Sequence, residues 1–162
     1  MKKAEADGIF MAEALKEARK AAGKGEVPVG AVIVHNGAVL SRGHNRREAA
    51  QDPSEHAEMA AIRRASRKLK SWRLTGATLY VTLEPCLMCM GALLQARVER
   101  LVFAAFDPKA GACGSLYDLS NDRRLNHRVE VSSGVLGQEA GEMLKGFFST
   151  LRAGKRLKRL KG

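Results

Sequence analysis

The stretch Ala77-Thr78-Leu79-Tyr80-Val81-Thr82-Leu83-Glu84-Pro85-Cys86-Leu87-Met88-Cys89 decides the fold. Residues 77–83 are aliphatic, aromatic and β-branched, the composition of a strand. Pro85 then opens a helix that runs to about Ala96. Working outward, Arg100–Phe106 reads as another strand, and Arg128–Val135 alternates with Val129 and Val131 inward, which suits a half-covered edge strand. Upstream, Asp52-Pro53-Ser54-Glu55 looks like a helix start, with Asp52 as cap, Pro53 in the first helical position and Glu55 completing a capping box. That helix reaches about Leu69 and buries Met59, Ile62 and Ala65.

The N-terminal part supplies a helix and a hairpin. Phe10, Met11, Ala14, Leu15, Ala18 and Ala21 have helical spacing over Asp7–Ala22, with Asp7 as cap and Gly23 as stop. Val29–His35 and Ala38–Gly43 flank Asn36-Gly37, a strong hairpin signal. Ala31-Val32-Ile33-Val34 is apolar on both faces, so this strand is central and covered on both sides. A last amphipathic helix over Glu139–Ala153 carries Met143, Leu144, Phe147, Phe148 and Leu151. Phe147 and Phe148 cannot share one face, so at least one belongs to the core. Strands alternating with helices predict a three-layer α/β/α domain, and the hairpin makes its sheet mixed. No repeat or linker interrupts the chain: residues 1–150 form a single domain, and 151–162 a basic tail continuing the last helix.

With 162 residues and 45% apolar content, the chain suits one soluble domain with a real core. The longest apolar runs, Val29–Val34 and Leu101–Phe106, are too short for a bilayer, so no membrane partner is expected. Met1-Lys2-Lys3 is followed by Glu5 and Asp7 before any apolar stretch, unlike a secretory signal. Three cysteines are an odd number for a disulfide framework, and a cytoplasmic protein is expected. The net charge is +11, and Arg152, Lys155, Arg156, Lys158, Arg159 and Lys161 supply six of those charges without an acidic neighbour. Such a tail suits a polyanion such as RNA or DNA, or serves only as a solvated, solubilising end.

Cys86-Leu87-Met88-Cys89 is the chemically loaded segment. At the start of a helix both thiols share one face, and the helix dipole favours thiolate, the metal-binding form. Three readings stand: a redox dithiol, half of a structural zinc site completed by His56 and Cys113, or a three-ligand metal site with one open position. His56-Ala57-Glu58 lies at the start of the other helix. Residues two apart on a regular helix point to nearly opposite sides. Both face one ion only where the helix is just beginning, which favours a start nearer Ser54 or Glu55 than Asp52. His35, His44 and His127 lack ligand partners at suitable spacing.

His56-Ala57-Glu58 with Pro85-Cys86-Leu87-Met88-Cys89 resembles the zinc signature of the cytidine deaminase-like superfamily. The wider text is similar to the bacterial tRNA-specific adenosine deaminases. The supporting stretches are 26–32, His44-Asn45-Arg46, Asp52-Pro53, 77–86, Phe106-Asp107-Pro108-Lys109, Gly114-Ser115-Leu116, 126–130 and Phe147-Phe148. The likeness covers about Ala6 to Leu151.

The resemblance implies a cytidine deaminase-like fold with a central five-stranded sheet. It implies one Zn²⁺ per subunit on His56, Cys86 and Cys89, a zinc-activated hydroxide, and Glu58 as proton shuttle. The implied reaction converts wobble adenosine to inosine in the tRNA anticodon stem-loop, within a homodimer. Asn45, Asp107, Lys109 and Phe148 are the implied substrate contacts, though Asn45 also fits a simple turn. Two other functions use the same residues: deamination of a free base, nucleoside or nucleotide, or a zinc-stabilised RNA-binding module. The cationic tail speaks against the first, and Glu58 against the second.

Overall fold

The structure, a computed structural model, describes residues 1–162. Its elements are α1 (Lys3–Gly23), β1 (Gly30–His35), β2 (Ala38–His44), α2 (Arg47–Ala50), α3 (Ala57–Leu69), β3 (Thr78–Leu83), α4 (Leu87–Gln95), β4 (Arg100–Ala105), β5 (Glu130–Ser133) and α5 (Gly137–Lys161). The sheet order is β2-β1-β3-β4-β5. β1 pairs antiparallel with β2 and β3, whereas β3, β4 and β5 run parallel. This is the mixed five-stranded sheet that the sequence leads one to expect. Asn36 and Gly37 both take positive φ, 51° and 75°, which gives the hairpin the twist its strands need.

Alternation along β1 and β3 divides the core between two layers. Ala31, Ile33, Leu79 and Val81 pack with Ala61, Ile62 and Ala65 of α3 and with Met90 and Leu93 of α4. Val32, Val34 and Tyr80 pack on the other face with Met11 and Leu15 of α1 and Ala140 of α5. Two glycines let helices touch the sheet backbone. A Cβ on Gly30 would stand 2.0 Å from the Ala14 carbonyl oxygen of α1, and one on Gly43 would stand 2.4 Å from that of Ala57 in α3. Gly43 thus presses the first turn of α3 against β2, and the Ser41 hydroxyl donates to the Ala61 carbonyl at 2.7 Å alongside it.

Several boundaries differ from the sequence reading. α1 begins earlier, with the Glu5 carboxylate accepting the Lys2 N–H. Asp7 is therefore not a cap; it is buried, accepting two 2.7 Å bonds from the Arg100 guanidinium and one of 2.8 Å from the Tyr80 hydroxyl. The Arg100 hydrogen bonds hold its carboxyl below the usual range. Asp52 does not open α3 either. Its carboxylate closes a turn on the Ser54 N–H and hydroxyl, and α3 starts only at Ala57. Pro85 stands just before the cap residue Cys86, outside α4. α5 runs unbroken to Lys161 and is exposed from Leu151 onward. No helix is long and apolar enough to cross a membrane.

Because the α3 backbone lies so close, Gly43→Ala should destabilise the fold by about 3 kcal/mol. Gly141, inside α5 with open space around it, should instead gain about 1 kcal/mol as alanine. Urea midpoints check both, and equal midpoints for the two variants would contradict the close approach.

Candidate active site

His56 and Cys86 hold equivalent positions. Each is the N-cap of its helix, α3 or α4, with extended backbone at φ −81°, ψ 158° and φ −77°, ψ 177°. Neither side chain caps its own helix, so both turn towards a common point. Standing outside the helix also frees His56 from its periodicity, which allows Glu58 two residues later to lie on the same side. Cys89 follows in the first turn of α4 and is fully buried.

The Cys86 and Cys89 sulfurs lie 3.6 and 3.5 Å from His56 Nδ1. All three donor atoms fall within 4.8 Å of one another. Tetrahedral zinc, with Zn–S of about 2.3 Å and Zn–N of about 2.0–2.1 Å, places S and N about 3.5–3.6 Å apart. The donor set therefore fits zinc in both chemistry and spacing. Cys113 is absent from the cluster. It is packed in the core, where burial pushes its thiol up to about 12.

Without metal, the three donors share protons. A hydrogen bond from the Cys89 thiol brings Cys86 down to about 3, while the same bond and burial push Cys89 up. The hydrogen bond to Cys86 raises His56. A metal ion needs deprotonated ligands and displaces these protons. Glu58 is buried beside the donors, and burial raises its carboxyl above the usual carboxylate range.

Two segments flank the donors. Asn45 ends the first strand pair and is buried; its amide donates to the Val27 carbonyl and its oxygen accepts the Arg47 N–H. The next residue, Arg46, donates its N–H to the carbonyl of Glu55, immediately before His56. Asp107 and Lys109 belong to the other segment, where the Asp107 carboxylate accepts the Lys109 and Ala110 N–H groups. Lys109 is exposed. Phe148 lies on α5, in the opposite layer from α3 and α4, partly exposed and edge-on to Phe147 at 5.5 Å.

Sequence reasoning gave no role to two buried carboxylates that hold the segments flanking the donors. Glu26 accepts the Glu48 and Ala49 N–H groups at 2.9 and 2.8 Å and so ties down the segment after Asn45. Glu84 binds the segment that carries Asp107. Only the position of Glu84, between a strand and Pro85-Cys86, marks it in sequence; nothing local marks Glu26.

The MafB19-like deaminase family model matches residues 5–152. A tRNA-specific adenosine deaminase of Bacillus subtilis (strain 168) is 55% identical over 153 residues, covering 94% of this chain and 95% of the relative. The chain belongs to the tRNA-specific adenosine deaminases. Another of these deaminases, from Aquifex aeolicus (strain VF5), is 48% identical over 143 residues, covering 88% and 94% of the two chains. A solved structure from work on A-to-I editing by tRNA:A34 deaminases at the wobble position matches with a TM-score of 0.81 and 46% identity. It covers 84% of this chain and 99% of that one.

Chelation should expose the asymmetry between the cysteines. Half-buried, ionised Cys86 should be alkylated by iodoacetamide at pH 7 well before buried, protonated Cys113, as followed by peptide mass spectrometry. Equal labelling of the two would contradict the assigned states.

Proposed function

We propose that this chain hydrolyses the wobble adenosine of a tRNA anticodon to inosine, releasing ammonia, with zinc held by His56, Cys86 and Cys89. The observation that carries this reading is the buried Glu58 carboxyl beside a cluster of three side chains of metal-ligating type; zinc held by three such ligands keeps a fourth position for solvent. The named tRNA deaminases at 55% and 48% identity support the substrate. When bound, zinc supplies a Lewis acid that makes water acidic near neutral pH.

Glu58 does the proton work. It takes a proton from the attacking water and passes it to the adenine ring nitrogen as the ring carbon bearing the amino group is attacked. It then takes the proton of the newly formed hydroxyl and delivers it to the amine, so that the C–N bond breaks, ammonia leaves and the ring carbonyl of inosine forms. Asn45 binds the nucleoside, while Asp107, Lys109, Phe148 and the cations of residues 151–162 meet the RNA. A neutral free nucleoside needs no such field, whereas an RNA backbone does. Bases also stack on aromatic side chains such as Phe148.

Residues 1–150 act as one catalytic domain in this reading. The protein works in the cytoplasm as a homodimer. Exposed Leu87, Phe106, Leu116 and Tyr117, on the segments around the donors, offer apolar surface to a second copy.

An ammonia and inosine assay on an A34 anticodon stem-loop, free adenosine and free cytidine tests the reading. Conversion of the stem-loop alone is expected. Glu58→Ala should keep zinc and stem-loop affinity but lose turnover by about 10²–10⁴-fold. Conversion of free nucleosides alone points to a nucleoside deaminase, binding without conversion to an RNA-binding module, and undiminished turnover in Glu58→Ala removes that residue from the mechanism.

A further inference from the structure

Glu84 is almost completely buried, yet it makes no ion pair. Its carboxylate is satisfied by one loop instead. Oε1 accepts the Asp107 N–H at 3.0 Å and the Ser115 hydroxyl; Oε2 accepts the Cys113 and Ser115 N–H groups, each at 3.0 Å. Gly111 leaves the space for this. A Cβ there would stand 2.3–2.4 Å from the Glu84 carboxylate atoms.

The backbone on either side continues the junction. The Glu84 N–H donates to the Ala105 carbonyl at 2.8 Å, and the Ala112 N–H donates to that of Pro85 at 2.8 Å. The loop is thus referenced to the two residues that immediately precede Cys86. An ionised acceptor buried among four donors makes stronger bonds than a neutral one. Glutamine at this position has one oxygen for four donors, and its NH₂ group faces N–H groups that it cannot accept.

We propose that Glu84 is a positioning residue: its carboxylate sets segment 107–115 against the start of the donor helix α4, and so fixes where Asp107 and Lys109 meet the RNA. The proposal rests on the tRNA deaminase reading for those two contacts. A carboxylate suits the task because it gathers donors spread from 107 to 115 onto two atoms. A side chain that only filled core space would need no charge, and burying one is costly unless the bonds are complete.

The test compares zinc-loaded wild type, Glu84→Gln, Lys109→Ala and the double variant on the A34 stem-loop. Glu84→Gln should raise KM about tenfold with kcat within about twofold and zinc content unchanged. In the double variant the two KM increases should not multiply, because Glu84 acts through the loop that carries Lys109. Amide hydrogen exchange should quicken at Asp107, Cys113 and Ser115 while β3 and β4 keep their protection.

An unchanged KM in active Glu84→Gln overturns the proposal. So does a fall in kcat with loss of zinc and a uniform rise in exchange, since that marks simple support of the fold. If Lys109→Ala alone has no effect, a KM rise in Glu84→Gln still supports the positioning of the loop. If wild type leaves the stem-loop unconverted, the deaminase reading has failed separately. Stem-loop Kd then replaces KM: a weaker Kd in Glu84→Gln supports the positioning role, and an unchanged Kd overturns it.

Discussion

A residue at a helix N-cap is anchored to the helix without sharing its rotation, and the site depends on two such residues. His56 and Cys86 leave their helices in extended backbone, so each side chain can aim at a point that a regular helical position would miss. Cys89 in the following turn completes the donor set. The free N–H groups of both first turns give this end of each helix a positive potential, which favours thiolate. The rest of the fold brings the two helix starts together. Gly43 brings α3 onto β2, and the short β3–α4 junction carries Cys86 from the centre of the sheet to its end.

The surroundings divide the electrostatic work. Glu26 and Glu84, both buried, are spent on backbone amides of the segments flanking the donors. Glu58 has no such set of amides and keeps a raised carboxyl, the condition for a group that exchanges protons. Cations occupy the exposed end of α5, away from the core. Amide partners thus set apart two buried carboxylates that hold structure from a third that lacks them, and exposure leaves the positive field of α5 open to a large anionic partner.

Much of this was legible because the relevant signals are local. Asn36-Gly37 and the doubly apolar Ala31–Val34 place the hairpin and the central strand, and the strand-to-helix text around Pro85 places the Cys pair. The tension between His56 and Glu58 demanded a helix that was only beginning. What misled was polar residues whose actual partners differ from those their local text suggests. Asp7 has the form of a cap, but Arg100, 93 residues away, claims it. Asp52 and Pro53 have the form of a helix start, but Asp52 closes a turn on Ser54, and α3 begins only after the extended His56. Asn45 was legible as a candidate, while its bonds to Val27 and Arg47 were not. Glu26 carries no local sign of its amide partners, because they lie 22 and 23 residues away.

The proposed chemistry turns on a metal held by His56, Cys86 and Cys89 with one position left for solvent. X-ray absorption spectroscopy at the zinc edge, on protein prepared without chelator, examines it directly. The expected shell is two sulfurs at about 2.3 Å with one imidazole nitrogen and one light oxygen scatterer at about 2.0–2.1 Å. A shell of three sulfurs, or protein that carries no zinc, would contradict it.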